Sequence, residues 1–296
     1  MISDVQGIRL IGEGGSTRLV WDGDDRSPLL LISSVQDGEF RSFQIIATDA
    51  RPLDVAIQSV TGTGARLVSR HNMFVDLRIN GFTGGIRKGI QIGGGGIDAN
   101  NDFHLFENVS VANYSDVAYS LENSQVYGIM FVNCSFDGGP RSQVGVATDR
   151  AGGKGGNFSW TGGGGAGNQT ADFSIGDPNN GGVSIRDGTF ERSARFLKTG
   201  GPSGASFLFR VEGVRWSGDA LAADGIAIDF RFPGPLSIRN SRFGEDSTKA
   251  LKISWSPGGP AEAAVFVFEA NVVKRAPGTA MFVGRPPTRL TDNVVF

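Results

Sequence analysis

The sequence predicts an all-β protein, a single-stranded right-handed parallel β-helix of about eleven turns, and three observations support this class. A short apolar motif recurs along the chain. Glycine is unusually frequent, with 45 of 296 residues, and is spread through the chain at corners between the repeats. No linker interrupts the repeats, so residues 1–296 are interpreted as one domain.

The repeating motif is clearest in FVNCSF, residues 131–136, which precede a Gly-Gly-Pro corner and a second short strand at 144–146. The equivalent hexads end at Ile45, Ile79, Val111, Phe190, Trp216, Phe243, Val273 and Phe296. Successive motifs are 23 to 34 residues apart, apart from one interval of 54, which predicts a hidden turn around residues 158–160. Self-similarity at such a period is typical of a solenoid.

One column of the motif is polar. Its members are Asp76, Asn108, Asn133, Asp187, Asn240 and Asn293. Asn and Asp bend the chain, tolerate left-handed backbone and bond neighbouring backbone groups, so we predict a structural ladder. The single cysteine, Cys134, lies at an inward position and is interpreted as a small buried hydrophobic residue.

Two glycine-rich stretches need separate interpretation. The run at 93–96 is not followed by a Lys-Ser or Lys-Thr pair or a helix, so we expect a corner and not a phosphate-binding loop. Residues 151–167 are of low complexity, but Phe158 and Trp160 keep the alternation of a strand, which predicts a degenerate turn. The alternative is a mobile flap that carries Lys154 and Trp160 over a groove.

The second strands begin about ten residues after several hexads, so strands are expected to stack in register. This predicts two long parallel sheets with a variable third side. Ile, Val, Leu and Phe face inward, and the phenylalanines stack in columns. At about 4.8 Å per strand, the rod is roughly 50 Å long.

Residues 7–17, GIRLIGEGGST, resemble the first coil of right-handed β-helix proteins of the pectate-lyase superfamily. This resemblance, with the general crossover rule, implies a right-handed coil. It also implies extended polysaccharides as ligands, because the superfamily includes lyases, polygalacturonase-type hydrolases, epimerases and phage tailspike depolymerases. Members commonly cover the open end with a helix, whereas six residues precede the motif here. We therefore expect either a longer parent chain or end caps from other subunits.

The catalytic motifs of that superfamily are incomplete in this chain. Residues 224–226, Asp-Gly-Ile, match only part of the first polygalacturonase block, and Asp24-Asp25 lies in an early loop. The sequence contains no Gly-His-Gly and no Arg-Ile-Lys. A hydrolase of the polygalacturonase type is therefore disfavoured.

Charge and hydrophobicity exclude several partners. The formal net charge of −2 offers no electrostatic basis for binding nucleic acid or an anionic membrane. No run of 18 apolar residues and no signal peptide is present, so membrane insertion is not expected. The predicted location is extracellular or on a phage virion, in the tail.

The candidate site is the polar end of the second strands. The predicted catalytic residues are Glu122, Asp149, Lys198 and Asp229, and the predicted substrate-binding residues are Gln91, Tyr119, Arg150 and Lys252. Carboxylates on adjacent turns, Glu122 and Asp149, would form an acid/base pair or bind Ca²⁺. Lys198 or Arg150 would neutralise a uronate or act as a lyase base. A solvated face of alternating charges explains the same residues without chemistry.

No resident metal or other cofactor is assigned. Of the two histidines, His104 is expected to point outward near Asp102. Two function classes follow from these patterns. One is a polysaccharide lyase or hydrolase; the other is a non-catalytic fibre or adhesion module, a homotrimeric tailspike-like shaft. Polysaccharide binding is common to both.

Overall fold

The computed structural model is a right-handed parallel β-helix, as the sequence predicts. It describes residues 1–23, 27–94, 100–123, 125–150, 157–176, 182–200, 208–257, 264–274 and 280–296. In this part of the chain, three parallel sheets of 11 strands each form the walls of the coil. The prediction of two long sheets and a variable third side is therefore wrong, because the third side is also a continuous sheet.

Each turn contributes one strand to each sheet, in the order sheet 1, sheet 2, sheet 3. Sheet 1 contains Ile2–Ser3, Leu30–Ser33, Leu53–Val60, Ile86–Ile92, Tyr114–Leu121, Val144–Ala147, Ala171–Ile175, Leu197–Thr199, Ile226–Phe230, Lys252–Trp255 and Phe282–Gly284. Sheet 2 contains Arg9–Ile11, Glu39–Arg41, Met73–Val75, Leu105–Glu107, Ile129–Val132, Phe158–Thr161, Gly182–Arg186, Leu208–Glu212, Leu236–Arg239, Phe266–Glu269 and Arg289–Thr291. Sheet 3 contains Arg18–Val20, Gln44–Ile46, Arg78–Asn80, Ser110–Ala112, Ser135–Asp137, Gly164–Ala166, Thr189–Glu191, Arg215–Trp216, Arg242–Phe243, Val272–Val273 and Val294–Val295. A two-stranded sheet pairs Ser69–Arg70 with Asn101–Asp102, and Gly14–Ser16 forms a 3₁₀ helix.

The hexad forms two strands and not one, because its third residue bends the chain between sheets 2 and 3. The φ angles there are positive, for example 53° at Asp76, 50° at Asn133 and 49° at Asn240. Asn and Asp adopt this left-handed conformation more readily than other side chains with a Cβ. The Nδ2 group of Asn108 donates to Oδ1 of Asp76 at 3.1 Å, so the predicted structural ladder is confirmed there.

The last motif is displaced by one residue from its predicted position. Asp292, with a φ of 56°, makes the bend instead of Asn293. Val295 pairs with Val273, so this motif ends at Val295 and not at Phe296. The sequence did not reveal this shift, because the motif ends in Val-Val-Phe and either of its last two residues fits the final apolar position.

The predicted hidden turn exists. Phe158–Thr161 pairs with Ile129–Val132 on one side and Gly182–Arg186 on the other. Trp160 is fully buried in the core, so a flap that carries Trp160 over a groove is wrong. Lys154 lies outside the described residues.

The core contains the predicted phenylalanine column along sheet 2. Phe40, Phe74, Phe106 and Phe131 stack with ring centroids 4.7–5.1 Å apart, and Trp160 continues the column 5.3 Å beyond Phe131. Cys134 is buried and free, and burial raises the pKa of its thiol to about 12.

Sheet 1 departs from simple alternation, which changes the outward columns. At one point in its strands two consecutive residues face the core, as Ala118 and Tyr119 do. A side chain at Gly145, the equivalent of Ala118 in the next turn, would collide with the ring of Phe136. The outward positions on either side of this point, such as Val117 and Ser120, are therefore three residues apart instead of two.

Candidate functional site

The predicted site residues lie on sheet 1 or just beyond the ends of its strands, and they do not form one column. Strand pairing places Gln91, Lys198 and Asp229 in a single outward column. Lys198 and Asp229 are direct neighbours on adjacent strands. Lys252 pairs with Ile226 and so belongs to a different column. The consecutive inward residues of sheet 1 caused this error in the predicted register.

Glu122 and Asp149 lie two residues beyond Ser120 and Ala147, which share the column of Gln91. The two carboxylates therefore occupy equivalent positions on neighbouring turns, as predicted. Their surroundings do not favour joint chemistry, because each is already engaged by hydrogen-bond donors of its own.

Glu122 forms a nearly buried ion pair with Lys88, a residue that sequence analysis did not select. The side chains are 4% and 9% exposed, and the Lys88 ammonium contacts Oε1 of Glu122 directly. The Ser120 hydroxyl donates to the same oxygen at 2.6 Å, and the Lys88 ammonium also donates to Oε1 of Gln91 at 3.3 Å. Four polar groups thus satisfy one another beneath the surface.

Gly93 and Gly94 cover this cluster. Their close approach to it explains why glycine occupies these two positions of the run at 93–96. Their φ angles are 80° and 98°. A Cβ on Gly94 would collide with the amide of Gln91 and lie 3.4 Å from Oε2 of Glu122. The predicted corner is confirmed at these two residues, and residues 95 and 96 lie outside the described part of the chain.

Asp149 and Arg150 belong to a second polar network on the same face. The Ser174 hydroxyl donates to Oδ2 of Asp149 at 2.6 Å. The guanidinium of Arg150 reaches the Asp116 carboxylate at 3.0 Å, and Arg87 bonds both Asp116 and Asp54. Arg150 is thus held by a carboxylate of its own chain.

Asp229 and Lys252 are likewise engaged. Nη2 of Arg231 lies 2.8 Å from Oδ2 of Asp229, and hydrogen bonding to Asp229 raises the pKa of Arg231. The Lys252 ammonium donates to the Asp224 carbonyl at 3.2 Å. The Asp224 carboxylate is bonded by Arg195, which lowers its pKa to about 2.

The prediction that Tyr119 binds substrate is wrong. Tyr119 is 1% exposed and faces the core. Its hydroxyl donates to the carbonyls of Val109 and Ser135, at 2.7 and 2.9 Å, so it cannot contact a ligand outside the coil.

His104 is also inside the coil and does not point outward. Its Nδ1 accepts a hydrogen bond from the Asn72 backbone at 3.2 Å, and burial lowers its pKa to about 3. It is therefore a neutral core residue, which excludes a general-base role toward an external substrate.

The carboxylates of sheet 1 do not fit a Ca²⁺ site. Glu122 is paired with an ammonium, and Arg150 lies 4.0 Å from the Asp149 carboxylate, so each site already holds a positive charge. Among the described residues, no group of three or more His, Cys, Asp or Glu side chains is arranged to hold a metal ion.

A groove of about 500 Å³ crosses the outer face of sheet 2. It follows four successive strands, from Ile129–Val132 to Leu208–Glu212, or roughly 15 Å along the coil. We call it the sheet 2 groove. Its volume lies within the usual range for small-molecule sites.

Small residues form the floor of the sheet 2 groove. Ser159 and Ser184 lie between Met130 and Arg210 in one column of paired residues. Gly182 adjoins Leu208 in the column beside it. Because neighbouring turns carry large side chains at the same positions, the two serines and Gly182 open a trough with apolar walls.

Phe103 forms one end of the groove in an unfavourable backbone conformation. Its φ is 56°, which is rare for a bulky residue, yet the side chain is 52% exposed. The ring packs over Gly128, where a Cβ would lie 2.6 Å from it, and its centroid is 5.6 Å from that of His71. An aromatic face is thus held at the surface beside exposed Met130.

A second groove, of about 630 Å³, follows the bend between sheets 2 and 3. Its lining is polar and includes the ladder residues Asp76, Asn108 and Asn133 together with Arg78 and Ser110. It offers hydrogen bonds, but its aromatic residue Phe43 is buried and provides no exposed ring. The sheet 2 groove is therefore the better candidate, since it combines apolar surface with a few polar groups.

Comparison with known proteins adds no relative. No protein-family model, no curated protein and no solved structure matches the chain. The resemblance to the pectate-lyase superfamily is thus supported only in its fold class. In the described residues, no helix is long and apolar enough to cross a membrane.

The sheet 2 groove was not predicted from the sequence, because the candidate residues there were charged or polar ones on another sheet. The available signal was small residues, Ser159, Gly182 and Ser184, at positions where other repeats carry large ones. Phe103 gave a further signal, as a second phenylalanine three residues before the inward Phe106.

Proposed function

We propose that this protein binds a polysaccharide in the sheet 2 groove and does not cleave it. The observation that carries the proposal is the exposed ring of Phe103, held in left-handed backbone at one end of a trough floored by serine and glycine. Sugar rings have apolar faces and hydroxyl edges, so they pack on an aromatic ring while bonding polar groups beside it. A linear chain would lie across successive turns, parallel to the axis of the coil.

The absence of cleavage is proposed because the sheet 1 carboxylates are engaged. General acid–base chemistry requires a carboxyl group within reach of the scissile bond. Glu122 is covered and ion-paired, Asp149 accepts from Ser174, and Asp229 pairs with Arg231. A binding protein of this kind would act outside the cell or on a virion, and the homotrimer stays a prediction that light scattering would test.

Affinity electrophoresis and titration calorimetry with dextran, starch, alginate and dextran sulfate test the proposal. Phe103→Ala should weaken binding at least tenfold, because the stacking surface is lost. Phe82→Ala is the matched control, since Phe82 is also 49% exposed with a φ of 48° but lies outside the groove. Equal loss in both variants, or in neither, would reject the sheet 2 groove as the binding site.

Cleavage is followed on the same polymers by chain length and by ultraviolet absorbance of new double bonds. We expect neither to change. Shortening by the wild type that disappears in Glu122→Gln would overturn the non-catalytic proposal and restore the predicted catalytic residues on sheet 1.

A further inference from the structure

Two guanidinium groups line the sheet 2 groove at its far end from Phe103. Arg210 lies in the groove column between Ser184 and Ser237 of the two neighbouring strands. Arg186 lies two residues beyond Ser184 on the adjacent strand. The two arginines are thus diagonal neighbours, about 7–8 Å apart at the backbone, and their long side chains can converge on one group.

These two arginines differ from the others on the outer face of sheet 2. Arg9, Arg41, Arg239 and Arg289 each lie 3.0–3.4 Å from Glu39 or Glu269. Within the described residues, by contrast, no carboxylate lies within 4.0 Å of the guanidinium of Arg186 or Arg210.

The immediate partners of the pair are neutral. Nε of Arg186 donates to the Ser184 hydroxyl at 3.1 Å, which orients the guanidinium along the groove floor and leaves its terminal amines available. Glu212 lies opposite Arg186 in the strand register but forms no ion pair with it in the described structure. The charge balance at this end of the groove is therefore positive.

We propose that Arg186 and Arg210 bind an anionic group of the glycan, a carboxylate or a sulfate ester, directly and without a bridging metal ion. This inference rests on the proposed function of the groove. Guanidinium presents a planar fork of donors that matches both oxyanions. Leu208, two residues before Arg210 on the same strand, adds apolar surface beside the pair and reduces solvent screening, which strengthens the interaction. Phe103 stacks on one sugar while the arginines select the charge of another.

The test compares alginate, which carries carboxylates, dextran sulfate and neutral dextran, each measured with and without EDTA. The wild type should bind the acidic polymers at least tenfold more tightly than dextran, with affinity that falls as salt rises. Arg210→Gln should remove most of this preference, and Arg186→Gln a smaller part. EDTA should have no effect. Alginate and dextran sulfate separate carboxylate from sulfate recognition.

Arg9→Gln is the control, since Arg9 lies on the same face of sheet 2 at the other end of the coil and is 72% exposed. An unchanged preference in Arg210→Gln, an equal loss in Arg9→Gln, or abolition of binding by EDTA would overturn the inference. If Phe103→Ala weakens binding while acidic and neutral polymers bind equally, the groove stands and only charge selection is wrong. If Phe103→Ala has no effect, the groove itself is rejected.

Discussion

The outer faces of sheets 1 and 2 have the same strand spacing and the same parallel pairing, but they differ in the chemistry that they present to solvent. On sheet 1, charged side chains neutralise one another: Lys88 with Glu122, and Arg150 with Asp116. On sheet 2, small residues open a trough beside exposed Phe103, and two arginines there lack carboxylate partners in the described structure. Side chains that are ion-paired with one another offer few groups to a ligand. Small residues and arginines without a carboxylate partner leave space and hydrogen-bond donors for one. Charge density alone is therefore a poor guide to a binding site on this coil.

The largest expected effect comes from the Lys88–Glu122 ion pair, and it tests whether this pair stabilises the fold and does not bind ligand. Glu122→Ala leaves the Lys88 ammonium covered without a counter-charge, and should lower the free energy of unfolding by about 3–5 kcal/mol, measured by urea denaturation. The double variant Lys88→Met/Glu122→Leu should restore most of this loss. Polysaccharide binding per folded molecule should be unchanged in both, and reduced binding would move the functional site to sheet 1.

The second prediction concerns the inner side of sheet 1, where Asp172 is enclosed. Burial raises its pKa to about 7, although Ser193, Asn168 and Trp216 donate to it. The folded state therefore holds a proton that the unfolded chain releases near pH 4. The stability from this proton is complete below pH 4 and is lost as pH rises through 7, on the order of a few kcal/mol.

Asp172→Asn should remove that pH dependence, because a neutral amide replaces the titrating acid. Urea midpoints of the wild type should fall between pH 5 and pH 8, and those of the variant should change less. Asp187→Asn makes the same chemical change at an exposed position and should retain the wild-type slope. Parallel slopes for all three proteins would contradict the assignment.

The third prediction tests the trough by filling it. Ser159→Tyr places a large side chain on the groove floor and should weaken polysaccharide binding about tenfold, or about 1.4 kcal/mol, by calorimetry. The melting temperature should hardly change, since the position faces outward. Val267→Tyr, in the same outward column but two strands beyond Arg210 and outside the groove lining, is the control. Unimpaired binding by the Ser159 variant would show that the ligand lies elsewhere.

The smallest expected change in stability comes from substitutions at the bend that joins sheet 2 to sheet 3. Ala270 adopts a φ of 54° where most turns have Asn, Asp or Gly. Ala270→Asn should stabilise the protein by about 0.5–1 kcal/mol, and Asn240→Ala should destabilise it by a similar amount, measured by urea denaturation. Changes of the same sign in both variants would contradict the conformational explanation.

The outcome of the sequence predictions differs between sheets for a physical reason. Along sheets 2 and 3 each motif has one fixed bend and strict alternation, so the inward columns and the turn at Trp160 were predictable. Along sheet 1 two consecutive residues face inward, and an eight-residue strand such as Tyr114–Leu121 contains a register shift against its neighbour. The repeat pattern therefore did not show that Tyr119 faces the core or that Lys88 pairs with Glu122.

The amino-acid sequence by itself determines the β-helix, because the apolar repeat and its bend residue are local properties copied in every turn. It also determines which residues form the phenylalanine column and the ladder of Asp76, Asn108 and Asn133. Only the tertiary structure decides which charges neutralise one another and where a trough opens. Those features depend on contacts between side chains about 25 to 35 residues apart in sequence, such as Lys88 with Glu122. They are set by the register of adjacent turns, and a one-residue shift in that register changes every partner.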